Sequence, residues 1–221
     1  MRTLIVIAGL LLSVVVVSAQ GAPPAPPAPP PPKKESVDDV LKRIEKEHAD
    51  HKTFAGKFKQ EKHVLLFDDV IESSGRFVFK KPDHVRWEYT KPHESILVIA
   101  GDDGQKWNET TKKVEKFKLS DERGLDAVVK QLFTWFKGEF TKMTESYTVT
   151  LEGNKPTKLK MAPKNDTVKK FISSIEVTMS SDEKYIDSVK IVEPGDDYTL
   201  YTFSEAKLDG EVKDEEFEIK K

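Results

Sequence analysis

The sequence predicts a mainly β protein: an antiparallel meander or barrel of about a dozen strands, with two helices on the concave face of the sheet. Short segments of alternating apolar and charged residues recur over 54–119 and 146–219, separated by turn residues. Two other segments have the 3.6-residue period of an amphipathic helix. A sheet of this length curls, and each helix must bury its apolar stripe against it. A closed barrel and an incompletely closed one, which encloses more space, both fit this pattern.

Residues 1–19 are predicted to be a secretory signal peptide. Arg2 precedes the apolar segments Leu4–Leu12 and Val14–Val17, and small residues suit cleavage after Ala19. The apolar stretch of about 14 residues is shorter than the roughly 20 that span a bilayer. Retention of the signal as an uncleaved anchor stays open.

Residues 20–34 are predicted to form a disordered Pro-rich linker, because Ala22–Pro32 contains only Pro and Ala. The remainder, 35–221, is long enough for one domain with its own core. Its stability must come from packing, because the chain has no Cys for a disulfide, nor for a lipid anchor. With 36 basic and 38 acidic residues, the chain has no broad field of one sign, which argues against a nucleic-acid partner.

Two helices are predicted. Ser36 and Asp39 fit a capping box at the start of the first, and residues 124–136 form the second, with apolar residues at i, i+3, i+4, i+7, i+8 and i+11. We expect the apolar faces of both helices to cover the sheet as a lid. The predicted lid residues are Val40, Leu41, Ile44, Leu125, Val129, Leu132, Phe133 and Phe136.

The segment 73–92 predicts an apolar face on two neighbouring strands joined by a turn at Pro82-Asp83. Side chains alternate between the two faces of a strand, so the aromatic residues share one face, which we expect to be the concave one. The opposite face is expected to be solvent-exposed and carries Arg76, Lys80, His84, Arg86 and Glu88. The predicted cavity-lining residues are Phe77, Phe79, Val85, Trp87, Tyr89, Leu97, Trp107 and Phe117. For Trp107, a place in the core is an open alternative.

Three segments, taken in order, resemble the outer-membrane lipoprotein carrier proteins, the LolA-like family. They are "TFAGKFKQEK" (53–62), "KKPDHVRWEYTKPHESILVIAGDDGQKWN" (80–108) and the closing "YTLYTFSEAKLDGEVKDEEFEIKK" (198–221). The resemblance implies an incomplete, unclosed antiparallel β-barrel of about eleven to twelve strands, with an α-helical lid on the concave face.

The resemblance also implies a function: a monomeric periplasmic chaperone that binds the acyl chains of lipoproteins. Such a carrier takes acylated lipoproteins from an inner-membrane lipoprotein-releasing transporter and passes them to an outer-membrane acceptor. The apolar concave face that the residues predict under two helices fits this role, because acyl chains gain about 0.8 kcal/mol for each buried CH₂.

Lys81 departs from the family pattern, which has Arg before the first Pro of the motif, placed to hold the lid through hydrogen bonds to helix backbone. We therefore expect Lys81 to be a latch with different bonds, because an ammonium donates three hydrogen bonds and has no planar fork. A solvent-exposed lysine at the strand end is the alternative.

No motif for catalysis, metal binding or a cofactor is evident. His48 and His51 have a spacing that suits a metal, but no third ligand is evident. We therefore predict a protein that is not an enzyme. The alternatives are an envelope sensor or lipid- or glycolipid-binding module of the same fold, the outer-membrane acceptor itself, which would need a lipidated Cys, and a hydrolase acting on lipids.

Overall fold

The computed structural model describes residues 35–66, 69–122 and 133–220. The predicted signal peptide and linker lie outside these ranges. The eleven strands within them are β1 (Thr53–His63), β2 (Val70–Lys80), β3 (His84–Lys91), β4 (Ser95–Ala100), β5 (Asp103–Asn108), β6 (Glu115–Lys118), β7 (Tyr147–Asn154), β8 (Thr157–Pro163), β9 (Ser174–Met179), β10 (Ile186–Val192) and β11 (Tyr198–Leu208).

Four α-helices accompany the strands: α1 (Val37–Ala49), α2 (described over 133–137), α3 (Met143–Ser146) and α4 (Asp166–Lys169). Short 3₁₀ helices lie at Leu119–Asp121, Phe140–Lys142 and Asp214–Phe217. Helix α1 begins where the sequence predicts it, because the Ser36 hydroxyl accepts a hydrogen bond from the Asp39 backbone N–H at 3.2 Å.

All eleven strands form one antiparallel sheet in the order β6-β5-β4-β3-β2-β1-β11-β10-β9-β8-β7. The sheet is not closed, and β6 and β7 are its edges. Strand β1 pairs with both β2 and β11, so it joins the two halves of the sheet in the middle. The predicted fold class, an unclosed barrel-like sheet with helices, is therefore confirmed.

Two apolar clusters lie on the concave face. The helix cluster combines α1 with β7–β10 and consists of Val40, Leu41, Ile44, Trp135, Phe140, Met143, Tyr147, Leu159, Met161, Ile175, Val177, Met179, Ile186 and Val189. The aromatic cluster lies on the other half of the sheet and consists of Phe54, Phe58, Phe77, Phe79, Val85, Ile99, Leu119, Phe133 and Phe136.

Glycine at position 75 makes the aromatic cluster possible. A Cβ at Gly75 would lie 1.9 Å from the Glu88 carbonyl oxygen and 2.8 Å from a ring carbon of Phe58. Only a residue without a side chain therefore lets β2, β3 and the Phe58 ring approach this closely.

The alternation of charged and apolar residues over 215–219 also predicts a last strand there, and this prediction is wrong. Residues Asp214–Phe217 form a 3₁₀ helix that crosses the convex face of the sheet. There Phe217 and Ile219 pack with Val78, Ile96, Val98 and Trp107 as the outer cluster. The alternation of apolar residues correctly placed Phe217 and Ile219 on one side. In a strand, the carbonyls of Glu216 and Glu218 would bond to the backbone of a neighbouring strand. Here they accept hydrogen bonds from the side chain of Arg86, whose Nη1 lies 3.2 and 3.3 Å from them.

The prediction of a solvent-exposed convex face is wrong for the same reason. The C-terminal segment covers Arg86, which is only 8% exposed and donates to the Glu88 carboxylate at 2.8 Å. Arg76 donates to Glu88 as well, at 3.0 Å, and pairs with Glu216. A paired, hydrogen-bonded arginine can be buried at a sheet surface, whereas alternation alone suggested that it faces water.

Candidate binding cavity

A cavity of about 500 Å³ lies on the concave face between the helix cluster and the aromatic cluster. Its size is within the range of small-molecule sites, roughly 300–1,000 Å³. Strands β1–β5, β10 and β11 form its floor, and the ends of α1 and α2 border it. The apolar and aromatic residues around it are Phe54, Phe79, Val85, Trp87, Tyr89, Ile96, Leu97, Trp107, Trp135, Phe136, Tyr185, Ile186, Val189, Ile191, Tyr201, Phe203 and Leu208.

Strand β3 gives the cavity its direction. Val85, Trp87 and Tyr89 lie on the concave face of this strand and all border the cavity. Four residues of strand separate the first from the last, so the cavity follows β3 for about 13 Å. The antiparallel register places Leu97 opposite Trp87 and Phe79 opposite Val85, which widens this apolar floor over three strands.

Six of the eight predicted cavity-lining residues border the cavity: Phe79, Val85, Trp87, Tyr89, Leu97 and Trp107. Phe77 and Phe117 belong to the aromatic cluster but do not border the cavity. Phe77 is 1% exposed and lies among other rings, and Phe117 packs at the edge strand β6 over Gly104. These two residues pack in the aromatic cluster beneath the residues that border the cavity.

Trp107 fits both its predicted place at the cavity and the open alternative of a place in the core. It lies at the border of the cavity, but it pairs with Ile96 across β4 and β5 and packs with Val98, Phe217 and Ile219. Its strand parity is that of the outer cluster, so the ring belongs to the convex face and fills the core there. The turn at 101–102 has two residues and fixes this register, which is the sequence signal for it.

The sequence analysis missed the contribution of β10 and β11. Ile186, Val189, Ile191, Tyr201 and Phe203 border the cavity from the other half of the sheet. Their alternation along two consecutive strands is the signal that identifies them. With these residues, both halves of the sheet contribute side chains to a single site.

The hydroxyls of Tyr89 and Tyr201 are engaged with neighbouring side chains. The Tyr89 hydroxyl donates to the Gln60 Oε1 at 2.6 Å. Burial, followed by the neighbouring Tyr89, raises the pKa of Tyr201, so its hydroxyl stays protonated. The aromatic bodies of these residues therefore face the cavity without leaving charge in it.

Of the predicted lid residues, Phe136 borders the cavity and stacks on Phe79 with ring centroids 4.9 Å apart. Phe133 belongs to the aromatic cluster, where its ring meets Phe79 edge-on. The predicted α1 residues Val40, Leu41 and Ile44 lie in the helix cluster and are at most 1% exposed. Leu125, Val129 and Leu132 lie outside the described residues. The described part of α2 thus covers the cavity more directly than the buried face of α1 does.

Lys81 lies where α1 and α2 end. Its Nζ donates to the backbone carbonyls of His48 at 2.9 Å, Ala49 at 3.3 Å and Lys137 at 3.4 Å. An ammonium has three N–H donors, and a cation is favoured at helix C-termini. Burial lowers the pKa of Lys81. A single residue at the end of β2 therefore bonds to the last turns of both helices.

Gly138 brings the two helix ends together. It follows α2 with φ of +78°, a conformation that favours glycine, and its N–H donates to the Trp135 carbonyl at 3.0 Å. A Cβ here would lie 2.4 Å from the Cβ of His48 on α1. The chain can therefore turn away from α2 directly against α1 only because residue 138 is glycine.

His48 is a buried, neutral histidine at the end of α1. Its Nε2 donates to the Glu183 backbone carbonyl at 3.0 Å, and its ring packs edge-on against Phe140. Burial, followed by the charges of His51 and Lys81, lowers the pKa of His48 to about 4. Glu183 also pairs with Arg43, so its turn holds α1 at two points.

The pKa of His48 predicts acid sensitivity. Its pKa is depressed in the folded state, so the unfolded chain binds a proton more readily between about pH 6.5 and pH 4. The stabilisation is complete above pH 6.5 and is lost as pH falls through about 4, by about 3 kcal/mol. The His48→Gln variant keeps a neutral hydrogen-bond donor at this position. We expect its free energy of unfolding, measured with urea, to lack this part of the pH dependence. A parallel decline in both proteins would contradict the assignment.

The two histidines considered as metal ligands bond to separate partners. His51 Nδ1 lies 2.7 Å from the Asp209 carboxylate, whereas His48 bonds to the Glu183 carbonyl. Over residues 35–66, 69–122 and 133–220, no group of three or more His, Asp or Glu side chains is arranged to hold a metal ion.

Comparison with known proteins identifies the family. Residues 49–220 match the family described as outer membrane lipoprotein carrier protein LolA. The chain belongs to this family. The Lys81 position, the aromatic β3 strand and the helices over the cavity all lie in or beside the matched range.

A relative from Aeromonas salmonicida, described as an outer-membrane lipoprotein carrier protein, is 28% identical over 116 residues. The match covers 52% of this chain, and the chain spans 55% of that relative's length. Among solved structures, an uncharacterised conserved protein from Thermus thermophilus has a TM-score of 0.52 at 11% identity. That alignment covers 81% of this chain and 91% of the other, and it shows a shared fold.

A structure from Nitrosomonas europaea, described as a LolA superfamily protein, has a TM-score of 0.42 at 10% identity over 82% of this chain and 97% of that one. Proteins of the LolA family are periplasmic, and family membership supports a role in binding or carrying lipoproteins. None of the helices in the described part of the chain is both long and apolar enough to cross a bilayer.

Proposed function

We propose that this chain is a periplasmic carrier that binds the acyl chains of lipoproteins in the concave cavity and carries them from the inner to the outer membrane. It acts without catalysis, as a monomer, between an inner-membrane lipoprotein-releasing transporter and an outer-membrane acceptor. A signal peptide at 1–19 directs export and is cleaved after Ala19, residues 20–34 are a disordered linker, and 35–221 form the carrier domain.

The observation that carries the proposal is the apolar cavity. Both halves of the sheet and the ends of two helices enclose about 500 Å³ bordered mainly by apolar and aromatic residues. Each CH₂ transferred from water into such a site gains about 0.8 kcal/mol, so the cavity can replace the apolar environment that an acyl chain loses when it leaves a membrane. The elongated floor along β3 suits a linear chain.

A carrier must also release its cargo. The helices over the cavity compete with the acyl chain for contact with the apolar floor. In the structure, Phe136 stacks on Phe79, and Lys81 bonds to the ends of α1 and α2. Cargo entry requires α2 to move off the aromatic floor, which exposes its own apolar face. The free energy recovered when α2 returns offsets part of the gain from burying the acyl chain, and this keeps binding reversible.

Lys81→Met tests the latch. It keeps an unbranched apolar stem but removes the three hydrogen bonds to the helix carbonyls, so the closed state loses stability. Charge-assisted hydrogen bonds are worth about 1.5–3 kcal/mol each when buried, and partial exposure reduces this, so we expect about five- to tenfold tighter binding of an environment-sensitive apolar dye. Release to an acceptor should slow by a similar factor.

Lys80→Met is the matched control, because Lys80 points to the convex face and pairs with Asp214 at 2.6 Å. The Lys81→Arg variant keeps a cationic donor at this position, so its affinity for the dye should lie within about twofold of the wild-type affinity. Equal dye affinity and release rate in Lys81→Met, Lys80→Met and wild type would show that Lys81 is not a latch.

Mass spectrometry of the protein purified from the periplasm tests the function itself. We expect acylated proteins or lipids to copurify with it and the mature chain to begin at Gln20. An empty protein that instead turns over a test ester would contradict the carrier proposal and support a hydrolase.

A further inference from the structure

The indole N–H of Trp135 is a buried donor without an acceptor. Trp135 is 6% exposed and borders the cavity from α2. Among the residues of the described ranges, its Nε1 is the buried side-chain polar atom for which no hydrogen-bond partner is found. An indole N–H can only donate, and leaving it unpaired in an apolar environment costs free energy that a packed phenylalanine would avoid.

Two other polar side chains at the cavity are paired within the protein. The Tyr89 hydroxyl donates to Gln60, and the His48 Nε2 donates to the Glu183 carbonyl. The backbone carbonyl of Trp135 itself accepts from Gly138. The unpaired indole N–H therefore stands out at a site where the surrounding polar groups are satisfied.

The position of Trp135 favours a ligand as the acceptor. It stands next to Phe136, which stacks on the cavity floor, and two residues before Lys137, whose carbonyl is held by Lys81. Its neighbours in the helix cluster include Val189 and Ile186, which also border the cavity. Both of these side chains are hydrocarbon and offer no acceptor to the indole N–H, whereas a ligand that carries a carbonyl would.

We infer that Trp135 Nε1–H donates a hydrogen bond to the carbonyl oxygen of a bound acyl group, in an ester or amide linkage. This rests on the proposed function, in which acyl chains enter the cavity. By definition an acyl chain begins at a carbonyl, which is a neutral acceptor. A single neutral donor satisfies a neutral carbonyl, whereas a carboxylate placed there would remain largely uncompensated.

Two probes of equal carbon number separate this hydrogen bond from burial of the chain. Methyl dodecanoate has an ester carbonyl and tridecane has none, and each is measured by displacement of an apolar dye. We expect Trp135→Phe to weaken binding of the ester roughly three- to tenfold and to leave binding of the alkane within about twofold. Phe217→Leu is the control for a core substitution away from the cavity. Phe217 packs in the outer cluster and does not border the cavity, so this variant should change neither affinity.

A second measurement uses the wild-type chain and so does not depend on how the variant folds. The chain contains three Trp, and Trp135→Phe identifies which indole N–H resonance belongs to Trp135. We expect that resonance to move downfield when methyl dodecanoate is added and to move less with tridecane.

The outcomes distinguish the inference from the function it rests on. If Trp135→Phe weakens both probes equally, or weakens neither, and the Trp135 resonance responds equally to both, the hydrogen bond is refuted while the carrier proposal stands. If the wild-type protein binds neither probe, both the proposed function and this inference are wrong.

Discussion

Phe77→Ala is expected to lower the free energy of unfolding by about 3–5 kcal/mol, the range for truncating a fully packed Phe. Phe77 is 1% exposed, and its ring centroid lies 4.8 Å from that of Phe54, 5.3 Å from Phe203, 5.7 Å from Phe79 and 5.9 Å from Trp87. Removing it leaves a void that the paired strands cannot collapse to fill. Urea unfolding followed by circular dichroism measures the loss.

Leu97→Ala is the control for this prediction. Leu97 also faces the concave side, but it borders the existing cavity, so the truncated atoms already have empty space on one side. We expect the free energy of unfolding to fall by only about 1 kcal/mol, which is mainly the hydrophobic transfer free energy of the removed atoms. Equal losses for Phe77→Ala and Leu97→Ala would contradict the distinction between packed layer and cavity wall.

The double substitution Leu97→Trp with Ile191→Trp is expected to abolish most ligand binding without destabilising the fold. The two residues border the cavity from opposite halves of the sheet, so two added rings occupy the space that an acyl chain would take. Excluding even two methylenes forfeits about 1.6 kcal/mol, so the affinity for an apolar dye should fall more than tenfold.

Thermal unfolding of the double variant checks that its fold is intact. Filling an empty apolar space should leave its unfolding temperature unchanged or raise it. Lys116→Trp, at an exposed position of β6, controls for the added indole. Unchanged dye affinity in the double variant, with the wild-type unfolding temperature retained, would show that the dye binds elsewhere.

The sequence was sufficient to predict the sheet, because alternation along each strand reports which side chains share a face. Phe79, Val85, Trp87, Tyr89 and Leu97 were assigned to the cavity by parity within single hairpins, which local pattern determines. The start of α1 was also predictable, since the Ser36 cap depends on residues within one turn.

Features that depend on contacts between distant segments were not predictable. The alternation at Phe217 and Ile219 fits a strand equally well, and only the position of Arg86 beneath the segment shows where its carbonyls bond. The side chains from β10 and β11 reach the cavity because β11 pairs with β1. The missing partner of Trp135 is likewise a property of its surroundings and has no local signature.

Lys81, which we propose as the latch, illustrates both cases. Its place at the end of β2 follows from the family motif, but the carbonyls that it bonds to belong to two separate helices. Lys81 reaches them as three single hydrogen bonds, which an ammonium can distribute over separate acceptors more freely than a planar guanidinium can.

Fluorescence quenching by a brominated acyl chain in single-tryptophan variants tests the central claim most directly. One variant keeps only Trp87, which borders the cavity, and the other replaces all three native Trp and carries Lys116→Trp at an exposed position of β6. With a brominated fatty acid methyl ester, we predict saturable quenching of the Trp87 variant and little quenching of the Lys116→Trp variant. Equal quenching of both, or quenching of the Lys116→Trp variant alone, would contradict a concave acyl-binding cavity.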